Sequence, residues 1–244
     1  MHAATSTSSS SKGLPEPIIE AYENPIAISK ADAIIIVLPC PTTIKEVHHY
    51  GDIIFNGLVR AKGSRIIPII DIMNPLVNLH ISEEFRKTNT SITEELENYF
   101  MEQVQLHPIT VQWKLYKALN TIGAHFFGNP PSQDSIQLDN FYAGGDGNNT
   151  GQLHSHKGHT KIFEHHSSSQ STKHQLTFGI VSDSEKIVQQ IIYDLGFHPR
   201  GVGDLRYARN LESLAELWIN LAYNPQSQLE GKKFGFTIIM EEKE

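Results

Sequence analysis

Residues 31–41, ADAIIIVLPCP, constrain this chain more than any other stretch. Ala33 to Val37 form a short, wholly apolar run, too short to cross a membrane or to make a typical helix. Such a run suits a strand covered on both faces, as in a parallel sheet between helices. Pro39 and Pro41 end it, because neither can donate to a ladder. In open α/β sheets ligands bind beyond the carboxyl ends of such strands, which makes Leu38, Pro39, Cys40 and Pro41 a candidate binding loop. Strand termination by proline is the plainer reading of the same four residues. Nothing in the surrounding charge argues for a nucleophilic Cys40.

The same rhythm continues downstream. A short helix closing over Ala27–Lys30 leads into a strand over Ala31–Leu38, and Thr42–Lys62 has apolar residues near helical spacing, interrupted around Gly51. Ile66–Ile72 reads as a second buried strand ending at Asn74-Pro75, with Pro68 suggesting an irregular or edge position. Val77 to Thr90 has the polarity of a surface loop. Ser91 to Gln105 reads as a helix capped by Ser91 and Glu94. A third strand over Val111–Leu119 runs into Asn120, Thr121, Ile122 and Gly123. Three strand-then-helix units in succession predict an α/β, Rossmann-like fold, with a mostly parallel sheet and helices on both faces. Loops at successive strand ends converge, so Asn74, Pro75, Asn120, Thr121, Ile122 and Gly123 should be neighbours in one crevice. Asn120 and Thr121 also suit the cap of a following helix, and both roles can hold together. His125 could meet an acceptor there or be a structurally satisfied histidine.

The remainder predicts one domain over residues 15–240, preceded by a disordered Ser/Thr-rich tail over 1–14. A Gly/Ser/His-rich flexible insertion spans 144–174. A strand at Leu176–Val181, a helix at Ser184–Leu195 stopped by Gly196, a strand near Pro199–Gly203, a long helix over Leu205–Tyr223 and a terminal strand at Phe234–Met240 complete the pattern. Gly145, Gly147 and Gly151 imitate a dinucleotide fingerprint but lack a good helix start after them. His154, His156, His159, His165, His166 and His174 could take zinc or copper adventitiously, but low-complexity drift is preferred and no metal site is expected. Glu212 and Glu216 read as a solvated helix face. A formal charge of -7 and the absence of a basic stretch argue against nucleic acid as a partner. A single cysteine excludes internal disulfides. With no apolar run near membrane length and no signal core, a cytoplasmic location without membrane association is expected.

Four pieces in order resemble the deazaflavin-dependent NADP oxidoreductase family, related to the nucleotide domain of transmembrane-antigen metalloreductases. They are ADAIIIVLP, IIDIMNPL, KALNTIGAH and LGFHPRGVGDLRYARNLESLAELWINLAY, within residues 27–240. The resemblance implies hydride transfer between NADPH and a flavin-like or other small acceptor, with the cofactor doing the chemistry and no catalytic acid–base pair identified. It places Leu38–Pro41 in the cofactor crevice and the Asn74 and Asn120 loops near the nicotinamide and acceptor rings.

The chain departs from the family at its front. Members begin with a strand, a G-x-G-x-x-G turn and a helix, whose free N–H groups receive the pyrophosphate. No such turn precedes Ala31 here. In the usual strand order 3-2-1-4-5-6, loss of the first strand leaves the Ala33–Leu38 strand at an apolar edge; either a second copy or another chain or the N-terminal segment covers it, or the sequence is a shortened product that folds poorly. The alternative to an NADP oxidoreductase is therefore a non-catalytic Rossmann-fold interaction module that has lost the cofactor.

Overall fold

The computed structural model describes residues 22–123, 126, 138–144, 182–231 and 233–239. In chain order the elements are α1 (Asn24–Lys30), β1 (Ile34–Ile36), α2 (Ile44–Arg60), β2 (Ile66–Asp71), β3 (Leu76–Val77), β4 (His80–Ile81), α3 (Glu83–Thr88), α4 (Ile92–Leu106), β5 (Gln112–Lys117), β6 (Asp139–Gly144), α5 (Asp183–Asp194), β7 (His198–Gly203) and α6 (Ala208–Tyr223). A five-stranded sheet runs in the order β1-β2-β5-β6-β7. It is mostly parallel, and only the β5–β6 pair is antiparallel.

Alternating side chains along the central strands fill two separate cores. Ile67, Ile69, Trp113 and Leu115 pack with residues of α2 and α4 on one face. Ile70, Tyr116 and Tyr142 pack with Val188 and Ile192 of α5 on the other. Phe141 and Ala143 meet Leu211 of α6. Helices therefore cover both faces, which is why the central strands are apolar without alternation.

Several expectations give way to specific contacts. Pro68 sits inside β2, paired in register with Lys114, and not at an edge. The amide of Ile72 donates to Ile36 of β1, and the carbonyl of Asp71 accepts from Ala118 beyond β5. Even-numbered positions of β2 thus face β1, whose ladder begins opposite Ile69. The missing N–H of Pro68 points past the end of that ladder, where nothing needs it. Gly51 does not interrupt α2: the helix runs unbroken beneath a Thr43–Glu46 capping box. A Cβ at Gly51 would lie 2.5 Å from Cδ1 of Tyr99, so the glycine admits a ring. The polar stretch after Val77 holds the β3–β4 hairpin and α3, anchored by buried Phe85.

No strand forms over residues 234–239. The Phe236 carbonyl accepts from Asp139 N, but the Asp139 carboxylate takes the Ile238 amide, so no ladder develops. The Ser/Thr-rich tail, the Leu176–Val181 strand, His125 and residues 145–174 lie outside the described residues; Gly144 ends β6. No described helix is long and apolar enough to cross a membrane.

Candidate functional site at the carboxyl ends of β1, β2 and β5

The loops after β2 and β5 meet, as convergent strand ends require. Asn120 Nδ2 donates to Asn74 Oδ1 at 3.0 Å and to the Leu211 carbonyl at 3.0 Å. Asn74 Nδ2 returns a bond to the Asn120 carbonyl at 3.3 Å. Both side chains are buried. With both amide protons spent, Asn120 has an acceptor left over: its Oδ1 lacks a partner, as does the buried Thr121 Oγ1. Leu119, just before them, holds a left-handed φ of 59°, fixed by its amide donating to Asn140 Oδ1 at 3.1 Å. A β-carbon residue in that region stores on the order of 1 kcal/mol of strain, a common mark of functional turns. No α-helix starts at Asn120 or Thr121 among the described residues, so the helix-cap role assigned to them from sequence is not seen.

The other candidates have partners of their own. Pro75 is buried, and its carbonyl accepts from Ser82 N at 2.7 Å. Ile122 packs against the α5-side core, and the Gly123 carbonyl accepts from Phe126 N. Along the β1 loop, Leu38 packs on the core, Pro41 is buried, and the Pro39 carbonyl accepts from Tyr50 Oη at 3.1 Å. Cys40 is an exposed free thiol.

Beneath the Asn74–Asn120 pair lies a charged knot. Lys117 closes β5 and Asp71 closes β2. The Lys117 ammonium donates to Asp71 Oδ2 at 3.0 Å, to Glu212 Oε1 at 2.8 Å and to the Met73 carbonyl. Its three protons meet three acceptors. Asp71 Oδ1 also accepts from Met73 N, its Oδ2 from Thr93 Oγ1, and Glu212 Oε1 from Ile92 N. All three charged side chains are at most 1% exposed. Glu212 is therefore no solvated residue. Its neighbour one turn on, Glu216, is also engaged, accepting from Ile81 N and Arg86.

Two carboxylates share one ammonium, so the knot carries one negative charge too many when fully ionised. Burial pushes the Glu212 carboxyl up to about 7, against the pull of Lys117. Burial also works against the Lys117 ammonium, but Asp71 and Glu212 outweigh it and hold it above its ordinary value. Sequence reading missed this knot, although Glu212 shares a helical stripe with Ala208, Ala215 and Ala222, all buried.

The helix N-termini nearby are already filled from within. Glu46 accepts from Thr42 N and Thr43 N, and Glu84 accepts from Ile44 N, at the start of α2. Glu94 and Glu212 accept from Ser91 N and Ile92 N at the start of α4. Side-chain carboxylates thus already occupy the anion-binding ends of both helices. At these strand ends Asn120 Oδ1 and Thr121 Oγ1 are buried acceptors without partners.

β1 is the sheet edge, as the strand-order argument expects, with Ile35 43% and Val37 69% exposed. An apolar cavity of about 320 Å³ runs along it, lined by Ile28, Ile34, Ile36, Leu38 and Ile54. A second cavity, about 360 Å³, lies by Tyr116, Tyr142, Glu185 and Gly201. Among the described residues no cluster of three or more His, Cys, Asp or Glu could hold a metal ion.

No family model matches this chain, and no curated protein does. Solved structures that resemble it include the following two. One, from Arthrobacter sp. FB24, is attributed F420-dependent NADP-reductase activity; it aligns at TM-score 0.51 and 16% identity over 87% of this chain and 73% of that one. The other, a hypothetical protein, SMa0349, from Sinorhizobium meliloti, aligns at TM-score 0.42 and 15% identity over 86% and 69%. At these identities the first likeness shows a shared architecture: the chain has a Rossmann-like α/β fold.

Proposed function

We propose that this chain is an NADP(H)-binding oxidoreductase-like protein that uses the crevice at the ends of β1, β2 and β5, with cofactor binding weakened by the lack of a phosphate cradle. The observation that carries the reading is the Asn74–Asn120 pair, which leaves Asn120 Oδ1 and Thr121 Oγ1 without partners at the strand ends. Two acceptors there match the two N–H groups of a nicotinamide carboxamide. When bound, the cofactor would supply the hydride for a flavin-like or other small acceptor. The chain's own residues would orient the ring and exclude water. The likeness to a structure attributed F420-dependent NADP reduction supports the architecture this reading needs.

Completing the phosphate half requires a strand and turn packed against the β1 edge, supplied from outside the described residues, whether by the same protein, a second copy or another chain. That requirement also favours a second reading, a non-catalytic Rossmann-fold interaction module, and the observation behind it is the carboxylate-filled α2 N-terminus. Fluorescence titration with NADPH separates the two. The oxidoreductase reading expects weak, saturable binding that Asn120→Ala abolishes. Absence of saturation at millimolar NADPH, in a protein shown to be folded, removes that reading and leaves the interaction module.

A further inference from the structure

We propose that Lys117 and Glu212 are positioning residues, which set the spacing of the two loops that carry Asn74 and Asn120. This deepens the cofactor reading and rests on it for its consequence, but its geometry stands alone. Lys117 Nζ ties the end of β5 to Asp71 and Met73, one residue before Asn74. Glu212 Oε1 ties the same ammonium to α6 and to the α4 amide of Ile92. Leu211, the residue beside Glu212, accepts the second amide proton of Asn120. Loosening the knot therefore moves both partners of the Asn74–Asn120 pair, one through the turn after β2 and the other through the first turns of α6.

The charge arrangement lets this link be read out. Facing Glu212 are Asp71 on β2 and Lys117 on β5. Arg209 on its own helix is engaged by Glu94 of α4, and Arg86 of α3 by Glu216. Neither arginine offsets the extra negative charge when Glu212 ionises. An uncompensated buried charge then weakens the knot. Ionisation should shift the Asn74 and Asn120 side-chain amides before any ligand is present.

The test is nuclear magnetic resonance of the full chain with ¹⁵N-asparagine, followed from pH 5 to pH 8.5, in the wild type and in Glu212→Gln. The glutamine keeps an acceptor for Lys117 and for Ile92 N while removing the charge. The expected result is that the Asn74 and Asn120 amide signals move together in the wild type with one midpoint near neutrality, and stay still in Glu212→Gln. NADPH affinity of the wild type should fall severalfold over the same midpoint, and that of the variant should not. Wild-type signals that ignore pH overturn the proposal, even if the variant does not fold. So does an identical titration in both proteins. Signals that move as expected in a protein that never binds NADPH uphold the positioning role and remove the cofactor reading.

Discussion

The two flanks of β2 are built on opposite principles. Toward β5 the strand ends in a buried junction where the Lys117 ammonium donates to Asp71, Glu212 and the Met73 carbonyl, and Asp71 also accepts from Met73 N and Thr93 Oγ1. Toward β1 it meets a three-residue strand in which Ile35, like Val37 just after it, is exposed beside an apolar groove. The first flank is rigid because each buried charge would be costly if released. The second is held by exposed or half-buried polar contacts, such as Tyr50 Oη on the Pro39 carbonyl and Arg65 on Asp32, and has no partner strand beyond β1 among the described residues. The strand ends between them therefore have one tightly held side and one loosely held side.

The largest effect that could break this contrast is Lys117→Met. It strands two buried carboxylates, which costs about 3–5 kcal/mol. Urea unfolding measures it, and a loss below about 1 kcal/mol would erase the distinction between the flanks. Next is the pH response of Glu212. Its folded pKa of about 7 lies above its ordinary 4.5, so the folded protein keeps the proton longer. The associated stability is complete below pH 4.5 and is lost as pH rises through 7. The full loss is on the order of 3–4 kcal/mol at ~1.4 kcal/mol per pKa unit. Urea midpoints at pH 5 and pH 8 should show it in the wild type and not in Glu212→Gln; a wild type more stable at pH 8 would contradict it.

On the open flank the effects are smaller. A Cβ at Gly57 would lie 2.4 Å from Ile28 Cβ, where α1 crosses α2. Gly57→Ala should cost about 1–3 kcal/mol through overpacking, read by thermal unfolding. Tolerance of the change would mean that α1 is not seated there. Smallest of all, Val37→Lys should alter stability by less than about 0.5 kcal/mol. Its measurable consequence is reduced self-association in sedimentation, because a charge blunts an edge strand.

Much of this contrast was legible in the residues. The apolar runs at Ile34–Val37 and Ile66–Ile70 place strands between helices, and proline and asparagine after them place the loops. Ser91 with Glu94 fixes the start of α4 through local chemistry that a sequence displays openly. Pro68 misled because the sequence does not show how short the β1 ladder is. Glu212 misled because a charged residue inside an apolar helical stripe reads as surface until its partner is known. That partner, Lys117, lies 95 positions away, beyond the reach of periodicity. Phe234–Ile239 has strand composition, yet the Asp139 carboxylate takes an amide that a ladder would need.

The central claim, that the crevice beside Asn74 and Asn120 receives a nicotinamide cofactor, is tested most directly by mapping backbone amide shifts as NADPH is added. The account predicts that the changes gather at residues 38–41, 73–75 and 119–123. Changes confined to the surroundings of Tyr142 and Glu185, or none at saturating cofactor, would contradict it.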